Sequence, residues 1–168
     1  MFVTAEKIGD LHSLEEVRND VRHGHAAQLW HELLEKVDRE MAQDAWTPKT
    51  PLQQRSEKQI KHANREYELV ALTAHRILDV ALVALIKDDR TYADAALRQI
   101  EAIFDETHWP EIEDITHLAL GDHCSLRSGQ LSLVQGVTYD WLHNLLTSDE
   151  RAWYLERFDH RFTRAFRA

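Results

Sequence analysis

The segment from about Ala63 to Ile86 constrains the fold of this chain more than any other. Read at helical spacing, Val70, Ala74, Ile77, Leu78, Ala81, Leu82 and Leu85 line one face, while Leu72 and Val83 fall on the opposite one. A helix apolar almost all round is stable in water only when neighbours enclose it. The rest of the sequence must therefore supply those neighbours.

It does so with further helices. After "KDDRT", where an Asp can cap a new helix, Tyr92, Ala96, Ile100, Ile103 and Phe104 mark an amphipathic segment that folds back on the first across a short turn. Upstream, Ser13 and Glu16 form a capping box that opens a short helix to about Arg22, which Gly24 is expected to end. From His25 to about Gln43, Leu29, Leu33, Val37 and Met41 define a second stripe, with Trp30 and Leu34 beside it. "DAWTPKTPLQQRS" then breaks the pattern with two prolines and reads as a loop.

Residues 106–124 have no sustained period and read as irregular. A fifth helix is expected from about Ser125 to Leu146, with Leu131, Val134, Val137, Trp141 and Leu145 inward. Thr147 and Glu150 form a second capping box, and a sixth helix carries Trp153, Leu155, Phe158, Phe162 and Phe166 to the end. No segment alternates with the period of a strand. The expected class is all-α, in antiparallel helical hairpins, and 168 residues suit one domain with one core. Within it, residues 1–62 form lead-in helices and a loop, and residues 63–168 the hairpin portion.

Charge narrows the possible partners. With 29 acidic against 20 basic residues, the net charge of −9 opposes binding to nucleic acid or to an anionic membrane, so neither is expected as a partner. An anionic ligand would need a locally basic cleft. The lone cysteine, Cys124, leaves no internal disulfide. No basic stretch followed by an apolar run opens the sequence, and no uncharged run of about 18 apolar residues suggests a membrane span. A cytoplasmic location is expected if the N-terminus is native.

The order "LVALTAHRILDVALVALIKDDRTYADAALRQI", a loop containing Trp109, and "LRSGQLSLVQGVTYDWLHNLLTSDERAWYLERF" resembles the N-terminal helical region of the heparinase II/III-like and alginate (oligoalginate) lyase families. The likeness runs from about Val70 to Phe158, with "YDWL" its most distinctive element, and "FVTAEKIGDLHSLEEV" resembles more weakly the lead-in to the first helices. The resemblance implies an incomplete (α/α) toroid and β-elimination on uronic-acid-containing glycans. In that chemistry the substrate carboxylate is neutralised by Asn, His or Arg before a Tyr or His base removes the adjacent proton. The families' catalytic positions lie C-terminal to the "YDWL" element, so no catalytic residue is assigned and no cofactor is expected. Six helices, or about three hairpins, make about half of such a ring, which at roughly 15 to 20 residues per helix takes well over 200 residues. The expected function is scaffold and part of a substrate cleft for an anionic polysaccharide, with self-association through an open face; the alternative is a non-enzymatic helical module that binds a protein partner.

For substrate contact the resemblance points to helix starts and the loops that join them. Arg127 and Gln130 then face an anionic sugar, an Arg being able to pair bidentately with a carboxylate or sulfate. The structural alternative pairs Arg127 with Glu106, Glu111 or Asp122. His117 and His123 are expected to donate to the same ligand and Trp109 to stack on a sugar ring, although Trp109 equally suits a plug that closes the loop on the core. His108, His117, Asp122, His123 and Cys124 offer zinc-ligand chemistry, but their spacings match no metal motif and no metal site is assigned. His23 and His25 flank a helix terminus. Tyr139, Asp140 and Trp141 read as structural, with Asp140 paired to Arg151 or Arg157.

Overall fold

A computed structural model describes residues 7–8, 12–49, 65–109, 112 and 126–164. The protein is all-α. A short antiparallel contact, Lys7–Ile8 with His12–Ser13, leads into helix α1 (Leu14–Asp20). Ser13 Oγ accepts from the Glu16 amide while the Glu16 carboxylate accepts from the Ser13 amide, the reciprocal pattern that its sequence predicts.

Helix α2 spans Gly24–Met41. Gly24 does not end the preceding helix; it opens this one, at φ +56°, a conformation that is inexpensive only for glycine. Of the expected stripe, Val37 is fully buried and Leu33 and Met41 partly so, whereas Leu29 is 53% exposed. The inward face of α2 therefore begins a turn later than its sequence period suggests.

Helix α3 (Arg65–Lys87) is the central element. It packs against α1, α2 and two later helices, α4 (Arg90–Phe104) and α5 (Leu126–Leu142). Residues 68–87 are apolar and long enough to cross a membrane, by length and composition alone, but in this fold that surface is turned to neighbouring helices. Val70, Ala74, Ile77, Ala81, Val83 and Ala84 are each at most 2% exposed. Small residues on both α3 and α4, including Ala93 and Ala96, allow the two helices to approach closely.

The turn between α3 and α4 holds Asp88 at φ 54°. Aspartate tolerates this left-handed conformation better than most residues. Asp89 then caps α4, its carboxylate accepting from the Thr91 amide at 2.9 Å. The C-terminus of α3 is closed from outside, where Arg18 of α1 donates to the carbonyls of Leu85 (2.8 Å) and Ile86 (2.9 Å). Those groups have no partner within their own helix.

Helix α5 stops at Leu142, earlier than its apolar pattern suggests, and residues 143–146 turn the chain. Arg151 holds that turn by donating to the carbonyls of His143 (3.0 Å) and Leu146 (3.1 Å). Neither Arg151 nor Arg157 pairs with Asp140 among the described residues, so the expected ion pair is not formed; burial instead raises the Asp140 pKa. Thr147 and Glu150 form the predicted capping box of helix α6 (Ser148–Phe158). The chain continues into a π-helical turn, Asp159–Thr163. On α6 the buried aromatic is Tyr154, 1% exposed, while Leu155 is 48% exposed.

The two hairpins are stitched at their ends by Arg90, which forms a bidentate ion pair with Glu150, also bonds Asp94, and donates to the Leu145 carbonyl at 2.9 Å. These donors hold the Glu150 carboxyl down to about 2 from 4.5. A depressed acid stabilises the fold fully above its unfolded pKa and loses that contribution as pH falls toward the folded value. Glu150→Gln keeps the capping-box geometry but loses the charge. Because the pair is partly exposed, it is expected to cost about 1 kcal/mol at neutral pH, a difference that shrinks as pH falls below 4.5 and vanishes near about 2. Urea unfolding of both proteins across that range measures the difference.

Candidate functional site

Two regions bear on function: the start of α5, to which the sequence points, and a cleft between α4 and α6. At the first, Arg127 is 3% exposed and Ser128 5% exposed. Arg127 is thus part of the enclosed interior and does not present its guanidinium to solvent. Gln130 is half-buried. His117 and His123 lie outside the described residues, as do Asp122 and Cys124.

Trp109 is 2% exposed. Its indole N–H donates to the Trp46 carbonyl at 3.0 Å, and its own carbonyl accepts from Arg161. Such a ring has no free face for a sugar, so the stacking expectation is corrected: Trp109 is the plug that closes the segment after α4 onto the core. The indole N–H of a buried tryptophan needs a partner, and the segment 44–49 supplies it. Trp109→Ala is expected to cost about 3 to 5 kcal/mol in urea unfolding. Unchanged stability would return Trp109 to the candidates for ligand contact.

Of the histidine–carboxylate–thiolate group weighed as metal ligands but not assigned as a site, only His108 lies among the described residues. His108 Nδ1 lies 3.2 Å from Asp105 Oδ2, and no group of three or more potential ligands occurs among the described residues.

The second region was not anticipated. Where α4 ends and α6 passes into the π-helical turn, their walls enclose a cleft of about 450 Å³. One wall carries Glu101, Phe104, Asp105 and Glu106; the other carries Trp153, Arg157 and His160. Spacings of four and three bring the last three to one side of a continuous helical path. The ring of Trp153 packs on Phe104 edge-to-face at 5.7 Å and is half-buried.

Some polar groups of the cleft are already engaged. Asp105 accepts from the Thr107 amide (2.7 Å) and hydroxyl (2.6 Å), which hold its carboxyl below the usual range and keep it ionised. Glu106 lies 3.3 Å from Arg161 and 3.9 Å from His160. Others are unused: the Glu101 carboxylate, the Arg157 guanidinium and the Trp153 indole N–H have no hydrogen-bond or ion-pair partner among the described residues. The cleft thus offers free acceptors and donors around an aromatic wall.

Sequence reasoning assigned Trp153 and Phe104 to core stripes and Arg157 to a pairing with Asp140. The spacing of Trp153, Arg157 and His160 was a legible signal. What it lacked was the opposing wall, which depends on how α4 lies against α6. Compared with protein-family models, with curated proteins and with solved structures, the chain matches none.

Proposed function

We propose that the chain is the N-terminal helical-toroid portion of a polysaccharide lyase of the heparinase II/III-like or alginate-lyase kind. In this reading it contributes scaffold and part of a cleft for a uronic-acid-containing glycan, and has no catalytic group of its own. The observation that carries the reading is the order of packing. The first helices of two successive hairpins, α3 and α5, lie against each other. Their second helices, α4 and α6, also meet, through Phe104 with Trp153 and Tyr154 and through Arg90 with Glu150. Neighbouring hairpins that pack first helix on first helix are what a curved helical layer is built from.

Sugar contact in this reading falls at the start of α5, on Gln130 with His117 and His123, while the enclosed Arg127 holds the helix start from inside. Uronate-containing oligosaccharides are expected to shift the tryptophan fluorescence, and no unsaturated product is expected to accumulate in the ultraviolet. Turnover by this chain alone would overturn the scaffold assignment. Absence of any fluorescence shift would remove the uronate glycan.

A second reading, a non-enzymatic helical module, is favoured by the outer face of α5. Leu133 is 69% exposed there, between Gly129 and Gly136, whose missing side chains would meet nothing within 4 Å. Mid-helix glycines cost stability of about 1 kcal/mol each relative to alanine, and no close approach among the described residues requires them. If the face packs on a second helix, light scattering at rising protein concentration is expected to show association that Leu133→Lys abolishes. A strictly monomeric chain would count against it.

A further inference from the structure

We propose that the cleft between α4 and α6 binds a neutral pyranoside unit, with Trp153 as its apolar platform and Glu101 and Arg157 as its principal hydrogen-bonding groups. This site is separate from the start of α5 and does not depend on the lyase reading.

The chemistry of the two walls selects the ligand. Glu101, Asp105 and Glu106 are carboxylates, and ionised carboxylates only accept hydrogen bonds. A pyranose offers several hydroxyl donors to such a wall. Arg157 and the indole N–H of Trp153 only donate, and the same hydroxyls accept from them. Few ligand classes satisfy both walls at once. A polyhydroxylated ring does, because each hydroxyl is donor and acceptor, and its C–H face covers an indole.

Charge excludes the nearest competitors. With Glu106 paired to Arg161, Glu101 and Asp105 remain against Arg157 among the described residues of the cleft, and this excess of negative charge disfavours a uronate or sulfate. A cationic amine would suit the carboxylates but, having only donors, would offer no acceptor to Arg157 or to the Trp153 indole N–H. A ligand without net charge meets neither obstacle. A volume of about 450 Å³ accommodates one to two sugar rings.

Isothermal titration with a panel of neutral disaccharides, namely maltose, cellobiose, lactose and mannobiose, tests the proposal. At least one is expected to bind saturably. Trp153→Ala is expected to weaken that binding at least about tenfold, and Glu101→Gln about three- to tenfold. Glu101 is exposed and unpaired among the described residues, so Glu101→Gln should fold normally and carries the test should Trp153→Ala disturb packing. A glucuronate-containing disaccharide is expected to bind at least about tenfold more weakly than the best neutral one.

No saturable heat with any neutral sugar would overturn the proposal, as would affinity unchanged by both substitutions. Tighter binding of the glucuronate sugar, or of spermidine, would overturn it as well. Glucuronate binding that survives Glu101→Gln and Trp153→Ala, without any neutral sugar binding, would sink the neutral-sugar site while leaving the uronate reading of the α5 region intact.

Discussion

The guanidinium of Arg76 is the most enclosed of the polar contacts described that attach the lead-in region to the hairpins. It sits on α3, the helix that every neighbour needs, and is only 5% exposed. It donates to the carbonyls of Glu40 (2.6 Å), Gln43 (3.2 Å) and Asp44 (2.9 Å), where α2 ends and its carbonyls have no intrahelical partner. The ring of Trp46 covers it at 4.8 Å. A buried cation is costly unless its donors are satisfied. Here its hydrogen-bond partners are chiefly main-chain oxygens, so satisfying Arg76 requires the end of α2 to be in place.

That requirement propagates. Arg76 also donates to Gln99 Oε1 of α4, and Gln99 in turn grips the Trp46 backbone, accepting from its amide at 2.7 Å and donating to its carbonyl at 2.9 Å. The Trp46 carbonyl takes a second donor from Trp109. One cation and one amide therefore join α2, α3, α4 and the segment after α4. The segment after α4 also forms one wall of the sugar cleft, so the cleft's geometry is tied, through Trp109 and Gln99, to a charge placed well inside the protein.

The helices were legible because the physics that sets them is local. Both capping boxes, the Asp89 cap, the two-residue turn before it and the enclosure of α3 follow from residues within a few positions of one another. The inward face of α5 was harder to read. Its apolar stripe suggested Leu131, Val134, Val137, Trp141 and Leu145, but the most buried line is Leu131, Gln135, Thr138 and Leu142. Gln135 has a partner on another helix, Tyr154 donating to its Oε1 at 2.7 Å and to its carbonyl at 2.9 Å, whereas Gln135 Nε2 and Thr138 Oγ1 are buried without a hydrogen-bond partner among the described residues. No period within α5 carries information about Tyr154. The same limit applies to Arg127 and Trp109, whose polar and aromatic chemistry suggested contact with a ligand while their burial depended on packing between distant segments.

The cleft shows the converse case, in which two locally ordinary segments make a site only by meeting. The end of α4 would be an unremarked acidic terminus, and α6 an amphipathic helix with one arginine to spare. Phe104 and Trp153 bring them together by an edge-to-face contact, and Arg90, at the other end of α4, pairs with Glu150 one turn before Trp153 on α6. The π-helical turn carries the chain past the end of α4, and Arg161 anchors it to the Trp109 carbonyl and Glu106. A turn of π-helix widens the path by one residue relative to an α-helix. That turn carries His160, which lines the cleft together with Glu101, Arg157 and Trp153.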